Sequence, residues 1–356
     1  MPRDTPVQLI SPNGTHTPDA DYVTPEDEHL LAAYAALVTG RRINDQCNAL
    51  VRQGRLAVYP SSNGQEACQV AAALAIASSD WLFPTYRDSV AVIGRGVPAE
   101  DAMTLLRGDW HSGYDPCKYR VAPQATPLAT QLLHAVGFAH AAKLRGEDTV
   151  VLAMCGDGAT SEGDFHEAMN FAAVFKLAVV FFVQNNEFAI SVPLARQTAA
   201  PSLAHKAIGY GMPGQRVDGN DVAALLAVLG EAVDRARGGD GPSLIEAHTY
   251  RMLAHTNADD DSRYREPEAV QEWEPQDPLV RLSKLLRDRS ILTDSLEDKF
   301  AASANELSAT LRQVMHAEPK VDPEELFTHV FAERPESLET QWNFLRDEIE
   351  RTEEDS

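Results

Sequence analysis

The chain has 356 residues, enough to bury a large core in one big domain or two. Its 44% hydrophobic and 24% charged residues are ordinary for a globular protein, and no apolar stretch is long enough to cross a bilayer. A formal net charge of −22 disfavours nucleic acid and anionic membranes as partners, and four scattered cysteines without a CxxC pair point to neither zinc nor a disulfide framework.

Residues 1–25 are rich in Pro, Thr, Asp and Asn without hydrophobic periodicity and read as a flexible or draped arm. No apolar signal core stands there, so a cytoplasmic location is expected. Thr24-Pro25-Glu26-Asp27 is a helix start, with Pro in the first turn and acids near the amino end. Leu30, Leu31, Tyr34, Leu37, Val38 and Ile43 form its apolar face, and the helix can run to Arg52. A second helix opens at Gly64-Gln65-Glu66-Ala67 and runs to about Ala77. The apolar run Trp81-Leu82-Phe83 then leads to Tyr86-Arg87-Asp88, which composition alone reads as a solvated surface pair. Gly94-Arg95-Gly96-Val97-Pro98-Ala99 fits a loose GxGxxA pattern but follows no clear strand. Pro98 fits better as the first turn of a helix running to Leu106. Residues 108–124 are a polar-aromatic loop, and residues 125–131 lead into an alanine-rich helix ending near Gly146. His134 and His140 sit on it at helical spacing, as packing residues rather than ligands.

Residues 149–190 carry the strongest signal. Thr149–Met154 and Ala178–Val183 are continuous apolar runs, and Phe165, Ala168, Met169, Ala172 and Phe175 between them have helical spacing. Strand, helix and strand with short links form a βαβ unit, so the strands should be parallel and buried on both faces. Asp157 and Asn186 then both lie just past strand carboxyl ends, where open α/β sheets bind ligands. A carboxylate, an amide oxygen and loop carbonyls are hard-cation ligands, and magnesium takes few from protein and the rest from water and phosphate. Gly156 and Gly158 let backbone approach a bulky anion, toward which the following helix points its amino end. Gly-Asp-Gly alone is ordinarily just a tight turn; the Asn185-Asn186 pair about thirty residues on is what makes a magnesium-bridged diphosphate the better reading. Cys155 packs beside the turn as a small apolar residue.

Further on, residues 209–221 mark a strand and a helix start, Val222–Ala236 is a helix, and Ser243–Ala247 is another strand. Residues 250–265, YRMLAHTNADDDSRYR, form an acidic loop with a single histidine, His255, expected to be mobile until a cofactor or partner binds. From Trp273 the pattern turns helical, with helices from Pro278 and from Asp294, two short amphipathic stretches and an acidic tail. The expected organisation is an arm at 1–29, an α/β domain at 30–276 with a mostly parallel sheet sandwiched by helices, and a helical extension at 277–356.

GDGATSEGDFHEAMNFA followed by VQNNEFAIS resembles the thiamine-diphosphate motif in the α subunit of 2-oxo acid dehydrogenases, the decarboxylating first component of those complexes. The resemblance runs from about Leu30 to Trp342. It implies thiamine diphosphate held through Mg2+, with Asp157, Asn186 and the Phe188 carbonyl on the metal. Tyr86 and Arg87 are implied on the diphosphate, Thr126, Leu128, Gln184 and His255 on the cofactor, and Gly158 and Ala159 as backbone contacts. Arg suits that task because its planar fork matches phosphate oxygens. Gln184 stands where branched-chain relatives can carry Arg, which removes a phosphate-binding charge and counts against a branched-chain assignment. His255 is implied as the residue assisting decarboxylation or acyl transfer, and Thr256 falls where some relatives carry a regulated Ser. The turn through Thr130 and Gln131 can hold K+ in branched-chain members.

The partners implied are a separate β chain supplying the Glu that activates the cofactor, in an assembly of two α and two β chains, and a lipoyl-bearing acyltransferase core. The substrate implied is a branched-chain 2-oxo acid, favoured by the 250–265 loop, with pyruvate as the competing one. An NAD-dependent Rossmann enzyme would need a Gly-rich turn after its first strand, and none is convincing. A non-catalytic α/β regulatory protein would have no reason to keep Asp157, Asn186, Arg87 and His255 together.

Overall fold

Runs of β-branched and aromatic residues build a five-stranded parallel sheet. The computed structural model describes residues 1–108, 112–317 and 322–354. Its strands are β1 (Trp81–Phe83), β2 (Val151–Gly156), β3 (Val179–Asn185), the small hairpin β4 (Phe188–Ala189) and β5 (Val192–Pro193), then β6 (Gly214–Asp218) and β7 (Ser243–His248). The sheet order is β1-β2-β3-β7-β6, with every neighbouring pair parallel. β3 is central and buried along its whole length, as a strand covered on both faces must be.

Alternation along the strands divides the core. Val151, Ala153, Cys155, Phe181 and Val183 pack with Leu132, Ala135 and Ala139 of helix Thr130–Arg145 and with Phe165, Ala168 and Met169 of helix Gly163–Val174. The intervening set, Leu152, Met154, Val180 and Phe182, is equally buried. Helix Val222–Arg237 packs on β3, β6 and β7 and against helix Glu66–Ala75. Cys155 is the small buried residue expected, and His140 lies against the rings of Phe171 and Phe175.

Residues 7–10 are draped along the β6 edge. Val7 makes a parallel bridge to Val217, and the Asp221 carboxylate accepts the Leu9 and Ile10 N–H groups at 2.6 Å each. The other Asp221 oxygen caps helix Val222–Arg237 through Ala223 and Ala224. The apolar run at Trp81 is a strand. The helix expected from Pro98 to Leu106 is two short turns, Ala99–Ala102 and Thr104–Arg107. The GxGxxA stretch follows the short helix Ser89–Gly94, and Arg95 is spent on the carbonyls of Ala73, Ile76, Ala77 and Asp80. Residues 109–111 of the expected loop, 318–321 of the expected extension and 355–356 of the acidic tail lie outside the described residues.

Contacts group the chain into Met1–Arg312 and Gln313–Ser356. Within the first unit, helix Pro278–Asp288 packs on helix Asp27–Arg52. Within the second, the Phe327 and Trp342 rings lie 5.8 Å apart and Arg334 bridges Glu324 and Glu339. Among the described residues no helix is long and apolar enough to cross a membrane.

Candidate active site at the strand ends

The carboxyl ends of β1, β2, β3 and β7 surround a cavity of about 230 Å³. After β1 come Tyr86 and Arg87; after β2, Asp157, Gly158 and Ala159; around the end of β3, Gln184, Asn186 and Phe188; and after β7, Arg251 and His255. Leu128 completes the rim. Thr126 does not line the cavity, although Ala125 and Pro127 beside it do. Nor does Thr130, whose hydroxyl is 3.5 Å from Asp164, while Gln131 lines the cavity and gives its amide N–H to the Met154 carbonyl.

Asp157 and Asn186 meet, as the βαβ topology requires. The Asp157 carboxyl is buried, and desolvation pushes its pKa up; a Gln197 amide donor at 2.5 Å and the Asn186 backbone N–H act against that shift. The Asn186 side-chain oxygen accepts the Phe188 N–H at 3.3 Å, and its amide nitrogen donates to Gln65. The Phe188 carbonyl faces the Arg251 guanidinium at 3.3 Å. One carboxylate, one amide oxygen and one carbonyl form a donor set that fits a hard divalent cation, with the remaining positions left to water and phosphate. No group of three or more His, Cys, Asp or Glu side chains that could hold a metal occurs among the described residues, so a cation here relies on that mixed oxygen set.

The turn after β2 leaves room for an anion. A Cβ at Gly156 would meet no protein atom, whereas one at Gly158 would lie 2.7 Å from the Ala189 side chain, so the hairpin requires glycine there. The segment next to Asp157 is the 3-10 turn Gly158–Ser161 rather than the helix itself, which begins at Gly163 after the extended Glu162. An anion beside Asp157 would therefore face this short turn and not the expected helix amino end. Two non-glycine residues that line the cavity, Ala129 and Ile190, and Glu187 between the lining residues Asn186 and Phe188, have positive φ, strain of the kind that clusters at ligand sites.

Across the cavity, Arg87 is buried. It donates to the Ser61 carbonyl at 2.9 Å and to both the Nδ1 and the carbonyl of His255 at 3.0 Å. Burial first, then the charges of Arg87 and Arg251, lower the His255 pKa from the ordinary 6.5 to about 4. The ring is neutral at physiological pH. Because Nδ1 accepts from a guanidinium, its proton sits on Nε2. The loop carrying His255 is tied down: Asp259 accepts from the His255 N–H and from the Tyr264 hydroxyl, and Arg265 donates to the Arg251 and Met252 carbonyls.

Sequence reasoning missed Gln65, Glu162, Gln197 and Arg251. All except Gln197 line the cavity, and Gln197 holds Asp157 from outside it. Arg251, fully buried, clamps the hairpin by donating to the Phe188 and Ile190 carbonyls and to Tyr264. The signal for it was an arginine three residues past the end of a buried strand.

A family model described as dehydrogenase E1 component matches residues 35–324. The chain is 49% identical over 348 residues to the 3-methyl-2-oxobutanoate dehydrogenase subunit alpha of Mycobacterium tuberculosis (strain CDC 1551 / Oshkosh), covering 98% of this chain and 95% of that protein. It is 36% identical over 343 residues to the pyruvate dehydrogenase E1 component subunit alpha of Staphylococcus aureus (strain MW2), covering 96% and 92% respectively. With a family model spanning most of its length and relatives of this identity along nearly all of it, the chain belongs to the dehydrogenase E1 component family.

Proposed function

We propose that this chain is the α subunit of a 2-oxo acid dehydrogenase that decarboxylates a branched-chain 2-oxo acid and passes the acyl group to a lipoyl-bearing acyltransferase. The observation that carries the reading is the pairing of Asp157 and Asn186 at two strand ends, with Arg87 and His255 facing them across one cavity. Thiamine diphosphate is the cofactor the family implies; bound here, it supplies the carbanion and electron sink that decarboxylation needs. Asp157, Asn186 and the Phe188 carbonyl would hold Mg2+, and Gly156 and Gly158 leave space for the diphosphate. Arg87 has five N–H donors and spends three on Ser61 and His255, leaving two for phosphate oxygens. His255, neutral with Nε2–H outward from Arg87, can donate to an oxygen that gains charge during the reaction. A potassium ion at the Thr126–Gln131 turn belongs to the same proposal.

The Glu that activates the cofactor comes, in this reading, from a β chain in an assembly of two α and two β chains. The substrate assignment rests on the 49% relative; the 36% relative supports pyruvate as the second reading. The test is decarboxylation by the chain co-expressed with a β chain, measured as kcat/KM for 3-methyl-2-oxobutanoate and for pyruvate. A preference for the branched acid is expected, and a preference for pyruvate selects the second reading. The purified single chain should be inactive; appreciable turnover by it alone would refute the shared site.

A further inference from the structure

Asn186 is oriented from a distance. Its amide N–H donates to Gln65 Oε1 at 2.9 Å, Gln65 Nε2 donates to Gln184 Oε1 at 2.9 Å, and Gln184 Nε2 donates to Asp88 Oδ1 at 2.7 Å. The other Asp88 oxygen accepts the Thr85 N–H at 2.7 Å. All four side chains are at least 94% buried, so water cannot substitute for a missing partner. The three amides are chemically reversible: each could present its oxygen where it now presents nitrogen. Burial raises the Asp88 pKa, and the Gln184 and Thr85 N–H donors oppose that shift; in its ionised form the carboxylate at the far end removes that freedom, because it can only accept. Gln184 must therefore turn its nitrogen to Asp88 and its oxygen to Gln65. Gln65 must turn its nitrogen to Gln184 and its oxygen to Asn186. Asn186 is left with its nitrogen bound and its oxygen turned away from the chain, on the side of Phe188 and the cavity.

We infer that Asp88, Gln184 and Gln65 are positioning residues whose fixed hydrogen-bond polarity keeps the Asn186 amide oxygen, not its nitrogen, available to a divalent cation. The inference rests on the reading of Asn186 as a cation ligand. It also accounts for Gln184. In this chain both ends of that amide are committed to the relay, so the position orients a ligand instead of binding phosphate.

The test measures Mn2+ binding by electron paramagnetic resonance, with thiamine diphosphate present, on the full-length chain purified with its β chain. Asp88→Asn lets the chain reverse and should weaken Mn2+ binding roughly tenfold, about the worth of one buried hydrogen bond. Asp88→Glu keeps an acceptor-only end and should restore affinity to within about threefold. Gln65→Met removes the acceptor beside Asn186 while filling the space, and should match Asp88→Asn. Asn186→Ala is the reference and should lose far more than either. If Asp88→Asn and Gln65→Met bind Mn2+ as wild type while Asn186→Ala does not, the relay is refuted and the cation site stands. If their unfolding midpoints fall while the folded protein binds Mn2+ normally, the chain is structural only and the inference fails. If Asn186→Ala itself binds Mn2+ normally, the cation site is wrong and the relay falls with it.

Discussion

Two buried aspartates follow strand carboxyl ends of the same parallel sheet, Asp157 after β2 and Asp221 after the edge strand β6. Burial pushes both carboxyl pKa values up, that of Asp221 to about 6. Their surroundings nevertheless differ. Asp221 accepts four backbone N–H groups, two from the arm and two from the helix it caps. Asp157 has one side-chain donor, Gln197, and faces a cavity flanked by an amide and an arginine. A raised pKa alone does not distinguish a structural carboxylate from a ligand-binding one. What distinguishes them is where the acceptor capacity goes: into the chain's own backbone at Asp221, toward open space at Asp157.

That contrast is breakable by matched substitutions. Asp157→Ala should weaken Mn2+ and thiamine diphosphate binding by more than roughly 100-fold, since the cation loses its charged ligand. The unfolding midpoint should hold or rise, because a poorly solvated charge has gone. Calorimetric titration and thermal melts of one preparation report both. Asp221→Ala should do the reverse. It strands the Leu9 and Ile10 amides and uncaps a helix, a cost of about 3 kcal/mol in urea unfolding, while Mn2+ affinity in the folded protein stays put. Should Asp157→Ala instead unfold the chain with binding intact, the two aspartates are of one kind and the contrast is lost.

Much of the Asp157 end was legible because its information is local. An apolar run, a Gly-Asp-Gly stop, a helical period and a second run ending in Asn-Asn fix a parallel βαβ unit, and parallel pairing then places Asp157 near Asn186. Tyr86, Arg87 and His255 were reached only through resemblance, because a YR pair or a loop histidine looks solvated until the sheet order is known. Gln65 was unreadable: its partners Gln184 and Asn186 lie 119 and 121 residues away, and glutamine opening a helix carries no pattern. The left-handed Ala129, Glu187 and Ile190 were hidden for another reason. Sequence flags positive φ through Gly or Asn, and none of these three is either residue. β1 was missed as a strand because three residues show no alternation.

The Arg87–His255 pair sharpens the comparison on the opposite wall of the cavity. With its pKa lowered to about 4, folded His255 stays neutral where the unfolded residue, near 6.5, takes a proton. The unfolded state therefore binds more protons between those values, and this group's contribution to stability is lost as pH falls through that window. Arg87→Leu removes the cation beside the ring and should move the His255 titration up, measurable by NMR of histidine-labelled protein. It should also weaken thiamine diphosphate binding roughly tenfold, as expected for a lost charge-assisted contact. An unmoved His255 titration in Arg87→Leu would mean that burial alone sets its pKa.

The smallest effect belongs to Gln197, and it probes whether Asp157 is held as well as exposed. Its amide N–H reaches the Asp157 carboxylate at 2.5 Å and the Val192 carbonyl at 3.0 Å, linking the ligand to the β4–β5 hairpin. The bond favours the charged carboxylate and so opposes burial. Gln197→Ala should therefore let the Asp157 pKa rise further. Protons then compete better with the cation in mildly acidic solution, and Mn2+ binding at pH 6 should weaken about two- to threefold, the scale of a single neutral hydrogen bond. At pH 8 protons compete less with the cation in either protein, and the affinities should converge. A loss that is equal at both pH values would instead show that Gln197 acts by shaping the hairpin, because a change in hairpin geometry does not depend on the protonation of Asp157.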